Sequence, residues 1–430
     1  MYLKGSKWTV RKRTKRANPW RVMALLVFLG VALYINQVIV PTVPPLFIPT
    51  PTPTRSPESF VSDADALLGQ GKMLQAIQAY KLAIQADPKN PTNYLTIARL
   101  LVWTGSYAEA LTNAENALLL NTNHSMANAI RGWALAYTGE LLPGEASEKR
   151  AIELDPNNGI AYAYLAEILT MQITAGEDTI NTRDRAVEAS RMAMQLTPNT
   201  LEAHRARGIV LEITGNYPEA AAEFEAALVF NNTIADLHLA LGRNYRFLEQ
   251  YDKAIEEFNR ANALNPTDPM PNTYISRTYA TVGEFAKAIQ FAQQAIKVSS
   301  KDPYLYGNLG QMYYKNREYK NAITALRLAV RGGTTANGDA VTGLPLDYGR
   351  VAEYYYTYGL ALAREGECGE ALQISRIILQ GVESDETSVY NAQEVIRICK
   401  DIATSGTPTA LPGDIPTEMT SPTQEATKSP

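Results

Sequence analysis

The sequence predicts an all-α protein: a solenoid of about nine helix pairs, preceded by one transmembrane helix and closed by a C-terminal capping helix. Two observations carry this prediction. An aromatic residue, an alanine three positions later and a second alanine seven positions after that recur about every 34 residues. Near the start of the 430-residue chain, nineteen consecutive residues (22–40) carry no charge.

The predicted segments follow one another along the chain. They are a basic cytoplasmic segment (1–21), a transmembrane signal anchor (22–40), a Pro/Thr-rich spacer (41–57), the repeat array (58–385), a capping helix (386–403) and a disordered Thr/Pro/Ser-rich tail (404–430).

The uncharged stretch VMALLVFLGVALYINQVIV (22–40) predicts a retained anchor. A helix of this length spans about 28 Å, close to the hydrocarbon thickness of a bilayer. Eight Lys or Arg residues and no acid precede it, while only Arg55 stands in the twenty residues after it. The positive-inside rule then places the N-terminus in the cytoplasm and the rest of the chain outside.

Two other interpretations of this stretch stay open. A cleaved signal peptide needs a shorter apolar core and small residues at its exit, and the exit here reads YINQVIVPT. A buried helix of a globular domain is the second alternative. The prolines of PTVPPLFIPTPTPTRSP (41–57) end any helix and favour an extended polyproline II spacer.

The repeated motif fixes the architecture of the rest of the chain. In TGNYPEAAAEFEAALVF the aromatic is Tyr217 and the alanines are Ala220 and Ala227. Small residues at this spacing allow close helix approach, and Asp-Pro or Asn-Pro pairs end many units. The motif stands at 104–120, 214–230, 248–264, 282–298 and 315–330.

These residues resemble the tetratricopeptide repeat, a 34-residue unit of two antiparallel helices. The match covers about three quarters of the chain, in nine units that start near residues 57, 91, 125, 159, 201, 235, 269, 303 and 352. The resemblance implies a right-handed superhelical solenoid whose concave face, lined by the first helix of each unit, binds peptides.

Three departures from the repeat carry expectations of their own. Pro143 and Gly144 predict a distorted start of the second helix in the third unit. The fourth unit is eight residues longer and carries TAGEDTIN (174–181) between its helices. The Gly-rich stretch 331–350 lacks a phosphate-binding GK[ST] and is expected to be either disordered or a contact surface.

No residue grouping predicts catalysis. The sequence contains no HExxH, GxSxG or CxxC motif, and its carboxylates are scattered over helix surfaces. His204 and His238 stand 34 residues apart in equivalent slots, where packing is favoured over a metal pair. We therefore expect a protein that is not an enzyme and has no cofactor or metal.

The two cysteines predict one cross-link. Cys368 begins the second helix of the ninth unit, and Cys399 lies near the end of the antiparallel capping helix. In an oxidising compartment a disulfide would tie the cap to the array. Two buried thiols are the alternative.

The charge balance and the concave face suggest the kind of partner. Formal net charge is −4, and removing the eight N-terminal cations leaves about −12 for the rest, which disfavours nucleic acid. A basic and aromatic strip is expected to capture an extended peptide that is acidic or bears a carboxylate. Its alternative is ion pairing of the arginines with acids on neighbouring helices. The candidate groove residues are Arg99, Trp103, Trp133, Tyr137, Arg243, Arg246, Phe247, Arg277, Tyr314 and Lys315, and the same stripe includes Glu167, Ile209 and Gln311.

The sequence thus predicts a membrane-anchored protein–protein interaction scaffold, with the array outside the cytoplasmic membrane. One alternative is a receptor or docking subunit for protein transport, with the array in the cytosol. Another is a non-catalytic accessory subunit of an envelope enzyme complex.

Overall fold

The computed structural model describes residues 18–39, 55–177 and 179–405. The chain divides into two compact units, residues 1–56 and 57–430. The two are described separately. Most of the predicted basic segment and spacer, and the tail from residue 406, lie outside the described residues.

The first unit holds one apolar helix. Helix α1 spans Pro19–Tyr34 and continues as a π-helical turn over Ile35–Ile39. The side chain of Asn18 accepts a hydrogen bond from the Trp20 amide at 3.1 Å, and Pro19 occupies the first helical position. This cap explains why the helix begins three residues before the predicted 22. The stretch Pro19–Val38 is long and apolar enough to cross a membrane, a property that signal sequences share.

The second unit is a succession of antiparallel helix pairs. Within the described residues, the eighteen helices α2 to α19 pair consecutively into nine repeats, which confirms the predicted solenoid. The helices are α2 (Pro57–Gly69), α3 (Met73–Ala86), α4 (Pro91–Trp103), α5 (Tyr107–Leu120), α6 (Ser125–Tyr137), α7 (Leu141–Leu154), α8 (Gly159–Ala175), α9 (Thr182–Leu196), α10 (Leu201–Ile213), α11 (Tyr217–Phe230), α12 (Ala235–Phe247), α13 (Tyr251–Leu264), α14 (Met270–Thr281), α15 (Phe285–Val298), α16 (Pro303–Lys315), α17 (Tyr319–Arg331), α18 (Arg350–Arg364), α19 (Cys368–Gly381) and α20 (Glu386–Ser405).

Buried small residues let these helices approach one another. Ala220 and Ala227, the two alanines of the motif in α11, expose none of their surface, and the same alanines are buried in the other quoted repeats. Phe224 and Phe258 are also fully buried and fill the space between layers. The motif residues therefore form the core rather than a surface.

The second helix of the third unit is regular, so the distortion predicted there is wrong. Helix α7 begins at Leu141 and places Pro143 in its first turn, where an amide has no partner within the helix. Gly144 permits close contact with α6, because a Cβ on it would stand 2.8 Å from the carbonyl oxygen of Gly132.

The Gly-rich stretch after α17 is ordered. Strands β1 (Gly332–Thr334) and β2 (Ala340–Thr342) pair antiparallel, with Gly332 opposite Thr342. Val341 is buried in one cluster with Tyr306 and Ala329, and the Leu344 amide donates to the Ala329 carbonyl at 2.8 Å. The insertion is thus a small hairpin that packs on the eighth unit.

The array ends in α20, which packs against α18 and α19. Ala392 and Val395 face the array and are fully buried. Near the far end of α20, the structure joins Cys399 to Cys368 at the start of α19, with their Cα atoms 5.5 Å apart.

Candidate peptide-binding face

The inner face of the third and fourth units is filled by its own aromatic side chains. Trp133 is fully buried and stacks on Tyr164, with ring centroids 4.3 Å apart. Its indole nitrogen donates to a Glu167 carboxylate oxygen at 2.8 Å. Trp103 meets the Trp133 ring edge-on at 6.4 Å. Trp133 therefore belongs to the core and not to an open groove.

The second unit closes against the fifth across this face. The guanidinium of Arg99 lies 3.5 Å from the Glu202 carboxylate, and it also stands 5.3 Å from the centre of the Trp103 ring. Farther out, a Cβ on Gly71 would stand 2.8 Å from a methyl group of Thr233, so the loop within the first unit touches the loop that ends the fifth unit. The N-terminal part of the predicted strip is consequently engaged in contacts within the chain.

Arg205 holds this closed region together, although the sequence analysis missed it. It is buried and lies 3.3 Å from Glu167 and 2.6 Å from Asp236, and it donates to the Tyr137 hydroxyl at 2.6 Å. Burial raises the pKa of Glu167 to about 7 against the opposing effect of Arg205. Arg205 stands one helical turn before the stripe residue Ile209, on the same side of α10. Its position one turn from the stripe is the sequence signal that marks it.

Arg243 and Arg277 occupy the same slot in successive units but have different partners. Arg243 forms a two-pronged pair with Glu212, at 2.8 and 2.9 Å. Arg277 donates to the Asn308 side-chain oxygen at 3.1 Å and has no carboxylate partner within the described residues. Ion pairing with acids on a neighbouring helix thus accounts for Arg243 and leaves Arg277 unexplained.

The electrostatic surroundings of Arg277 reinforce this contrast. Its pKa is lowered, first by burial and then by the positive charge of Arg350, with Arg246 adding to the effect. For Arg243 the Glu212 carboxylate outweighs burial and raises the pKa. Arg277 therefore sits in a site that favours an anion.

The remaining candidates lie on more accessible parts of the face. Phe247 is half exposed and stacks on Tyr217 with centroids 4.3 Å apart, and Arg246 lies 5.9 Å from the Phe247 ring. Tyr314 is partly buried, which raises its pKa, and the neighbouring Lys315 is exposed.

A cavity of about 890 Å³ opens where these units meet. Helices α8, α10, α12 and α14 supply most of its surface. It is lined by Ala136, Tyr137, Gly139, Leu141, Thr170, Met171, Thr174, Ala175, Glu177, Ile209, Glu212, Ile213, Tyr217, Arg243, Phe247 and Tyr274. The structure thus brings Tyr137, Arg243 and Phe247 together at one cavity.

The two repeated histidines bond to carboxylates. The Nδ1 atom of His204 lies 2.6 Å from Glu223, and that of His238 lies 2.5 Å from Glu257. Each pair joins the two helices of one unit. The described part of the chain contains no group of three or more His, Cys, Asp or Glu side chains placed to hold a metal ion.

Stacked antiparallel helix pairs with a cavity on the inner face define an α-helical repeat solenoid. Models of the tetratricopeptide repeat match residues 67–132, 183–233, 235–268 and 275–337, so the chain carries tetratricopeptide repeats. Repeats of this kind imply a protein–protein interaction scaffold.

Relatives and solved structures agree with this repeat architecture. Human DnaJ homolog subfamily C member 7 is 25% identical over 186 residues, 42% of this chain and 38% of that protein. The tetratricopeptide repeat and J domain-containing co-chaperone DNJ1 of Cryptococcus neoformans is 26% identical over 157 residues, 35% of this chain and 30% of that protein. The chain thus spans about a third of the length of these relatives.

The fold extends over most of one solved structure. The human IFIT1 dimer with PPP-AAAA aligns with 80% of this chain and 82% of that one at a TM-score of 0.51 and 15% identity. At that identity the likeness concerns the fold alone.

Proposed function

We propose that this protein is a membrane-anchored scaffold that binds partner proteins through peptide segments on the face formed by units four to eight, outside the cytoplasmic membrane. The observation that carries the proposal is the cavity of about 890 Å³ on this face, beside the half-exposed Phe247 and the cationic Arg277. Aromatic and arginine side chains are the usual anchors of binding energy at protein interfaces.

The proposed location rests on the N-terminal segment and on the cysteines. Eight cations precede the uncharged stretch that starts at Val22, which favours a cytoplasmic N-terminus and an array on the other side. The Cys368–Cys399 bridge suits an oxidising compartment. The alternative with a cytosolic array, as a transport receptor or as a partner of chaperones like the J-domain relatives, requires both cysteines to be reduced.

Protease protection on intact cells of the source organism tests the location. With an epitope tag before Met1, external protease should digest the array and leave a tagged fragment that contains α1. Digestion only after the membrane is permeabilised would overturn the extracytoplasmic placement. A cleaved signal peptide would instead separate the tag from the array without any protease.

Crosslinking in the native membrane, followed by purification of the full chain, tests the scaffold. The expected result is a defined set of partner proteins whose crosslinks map to units four to eight. Crosslinks confined to the convex helices, with none on the inner face, would contradict the proposed binding face.

A further inference from the structure

The cavity and Arg277 are parts of one surface. Tyr274 lines the cavity, and the guanidinium of Arg277 lies 5.8 Å from the centre of the Tyr274 ring. Phe247 also lines the cavity, with Arg246 5.9 Å from its ring. A ligand that fills the cavity and extends beyond it therefore lies close to a guanidinium at the point where it emerges.

The insertion in the fourth unit builds one wall of this cavity. Helix α8 has 17 residues, whereas the first helices α6, α10 and α12 have 13. The cavity lining includes Met171, Thr174 and Ala175 from the end of α8 and Glu177 from the turn that follows. The residues that depart from the 34-residue period therefore supply this side of the cavity.

The rest of the lining is mostly apolar. Ile209, Ile213 and Tyr217 contribute aliphatic and aromatic surface, and the charges of Arg243 and Glu212 compensate each other at 2.8 Å. Ligand sites typically have volumes of about 300–1,000 Å³, so this cavity has room for one or two bulky side chains. Its chemistry selects an apolar group.

Within the described residues, Arg277 has no bonded carboxylate. It donates to the neutral amide of Asn308 and also interacts with the Tyr354 hydroxyl, whereas Arg243 in the preceding unit has a carboxylate. The nearby Glu353 is already bonded to Arg350 and Gln311, each at 3.2 Å. Desolvating a cation is costly unless an anion joins it, and a ligand carboxylate would meet that requirement.

We infer that the surface is a two-part peptide site: a bulky apolar side chain enters the cavity beside Phe247, and a carboxylate of the same peptide binds Arg277. This inference rests on the proposed function and specifies its ligand. The Tyr274 ring lies between the cavity and Arg277. Crossing it takes two or three residues of extended peptide at about 3.3 Å each. Glu177 of unit four lines the cavity and repels an acidic peptide residue at that end of the site. The peptide carboxylate is therefore favoured at Arg277 in unit seven.

Selection from a random twelve-residue peptide library on the full chain in detergent micelles tests the site. The wild type should enrich a bulky apolar residue followed or preceded within two or three positions by Asp, Glu or a free C-terminus. Amidated and free-acid versions of each selected peptide distinguish a side-chain carboxylate from a terminal one.

Two variants separate the parts of the site. Arg277→Gln should weaken the selected peptides about tenfold or more and abolish the preference for acid, while keeping the apolar residue. Ala175→Trp, on an exposed position at the cavity wall, should weaken binding through the apolar residue alone. Arg277→Lys, which keeps the charge, should retain part of the affinity, and Arg397→Gln on α20 is the matched control for loss of a surface arginine.

The outcomes distinguish a failure of the two-part site from a failure of the proposed peptide-binding function. Peptides that bind the wild type, Arg277→Gln and Ala175→Trp equally would overturn the two-part site and leave peptide binding intact. A library that yields no peptide for the wild type would contradict the proposed function as well. Unfolding curves of each variant by circular dichroism show whether lost binding reflects lost fold.

Discussion

Arg99 on α4 reaches Glu202 on α10 across 103 residues of sequence, with Nη1 and Oε1 3.5 Å apart. In an extended repeat array each unit contacts only its neighbours. Here the second unit contacts the fifth, and the loop at Gly71 of the first unit meets Thr233 at the end of the fifth. The first five units therefore form one body, and the accessible part of the inner face begins where that body opens at the cavity.

Removing the charge of Arg205 should destabilise this body. Arg205→Met leaves Glu167 buried without its cationic partner, which costs roughly 3 kcal/mol of unfolding free energy at neutral pH. Urea unfolding followed by far-ultraviolet circular dichroism measures the loss. The double variant Arg205→Met with Glu167→Gln removes both charges and should recover a large part of it. Equal losses in the single and double variants would show that charge compensation is not the source.

Gly242→Ala should also destabilise the array, through overpacking. A Cβ at Gly242 would stand 2.6 Å from Cε1 of Phe258, which is fully buried. The expected loss is about 1–2 kcal/mol even after the gain in helix propensity. Gly369→Ala in α19 is the control, because a Cβ there meets nothing within 4 Å and should stabilise by up to about 1 kcal/mol. Thermal unfolding of both variants tests the difference, and an unchanged midpoint for Gly242→Ala would contradict it.

The repeat period was readable from sequence because core packing imposes it. Every second helix must present small residues to its partner, so Ala220, Ala254 and their equivalents recur at fixed spacing and are buried as expected. The π-helical turn after Tyr34 has no comparable signal. The sequence also did not predict the hairpin of 332–342, because its two strands have three residues each and are too short to show an alternating pattern.

The inner face was harder to read because its curvature is a property of the whole array. The repeat spacing placed Trp133 and Arg243 on the correct helices. It did not reveal that Trp133 would be sealed in or that Glu212 would neutralise Arg243. Arg277 differs from Arg243 through its partner on the neighbouring unit, Asn308 rather than a carboxylate such as Glu212. Both partners lie on first helices, but about one turn away from the stripe positions Gln311 and Ile209.

Glu148 should give the protein a pH-dependent stability. It is fully buried, and neither side-chain oxygen has a hydrogen-bond partner of good geometry within the described residues. Burial and the adjacent Glu167 raise its pKa well above the usual value. The folded state then binds more protons than the unfolded state, so the unfolding free energy falls as pH rises from about 4.5 toward the folded pKa.

Glu148→Gln removes this proton-linked term. The variant should be more stable than wild type at pH 7 by an amount on the order of 1–2 kcal/mol, and its stability should fall less steeply between pH 5 and pH 7, by up to about 1.4 kcal/mol per pH unit. Glu167, whose pKa of about 7 acts in the same direction, contributes to the slope that remains. Urea titrations at several pH values measure both effects. Parallel curves for the variant and wild type would mean that Glu148 does not change protonation on folding.

The bond between Cys368 and Cys399 should stabilise the C-terminal end of the array. It joins residues separated by 31 positions and ties α20 to the start of α19. On the chain-entropy account, closing a loop of this length stabilises the fold by roughly 3–4 kcal/mol. The variant with both cysteines changed to serine should therefore lose about this amount, first at the cap, where hydrogen exchange of Val395 and its neighbours should accelerate before that of α12. Wild type treated with reductant should match the variant. Thiol counting on protein taken from its native membrane decides whether the bond forms there: two reactive thiols under denaturing, non-reducing conditions would refute it and, with it, the oxidising location of the array.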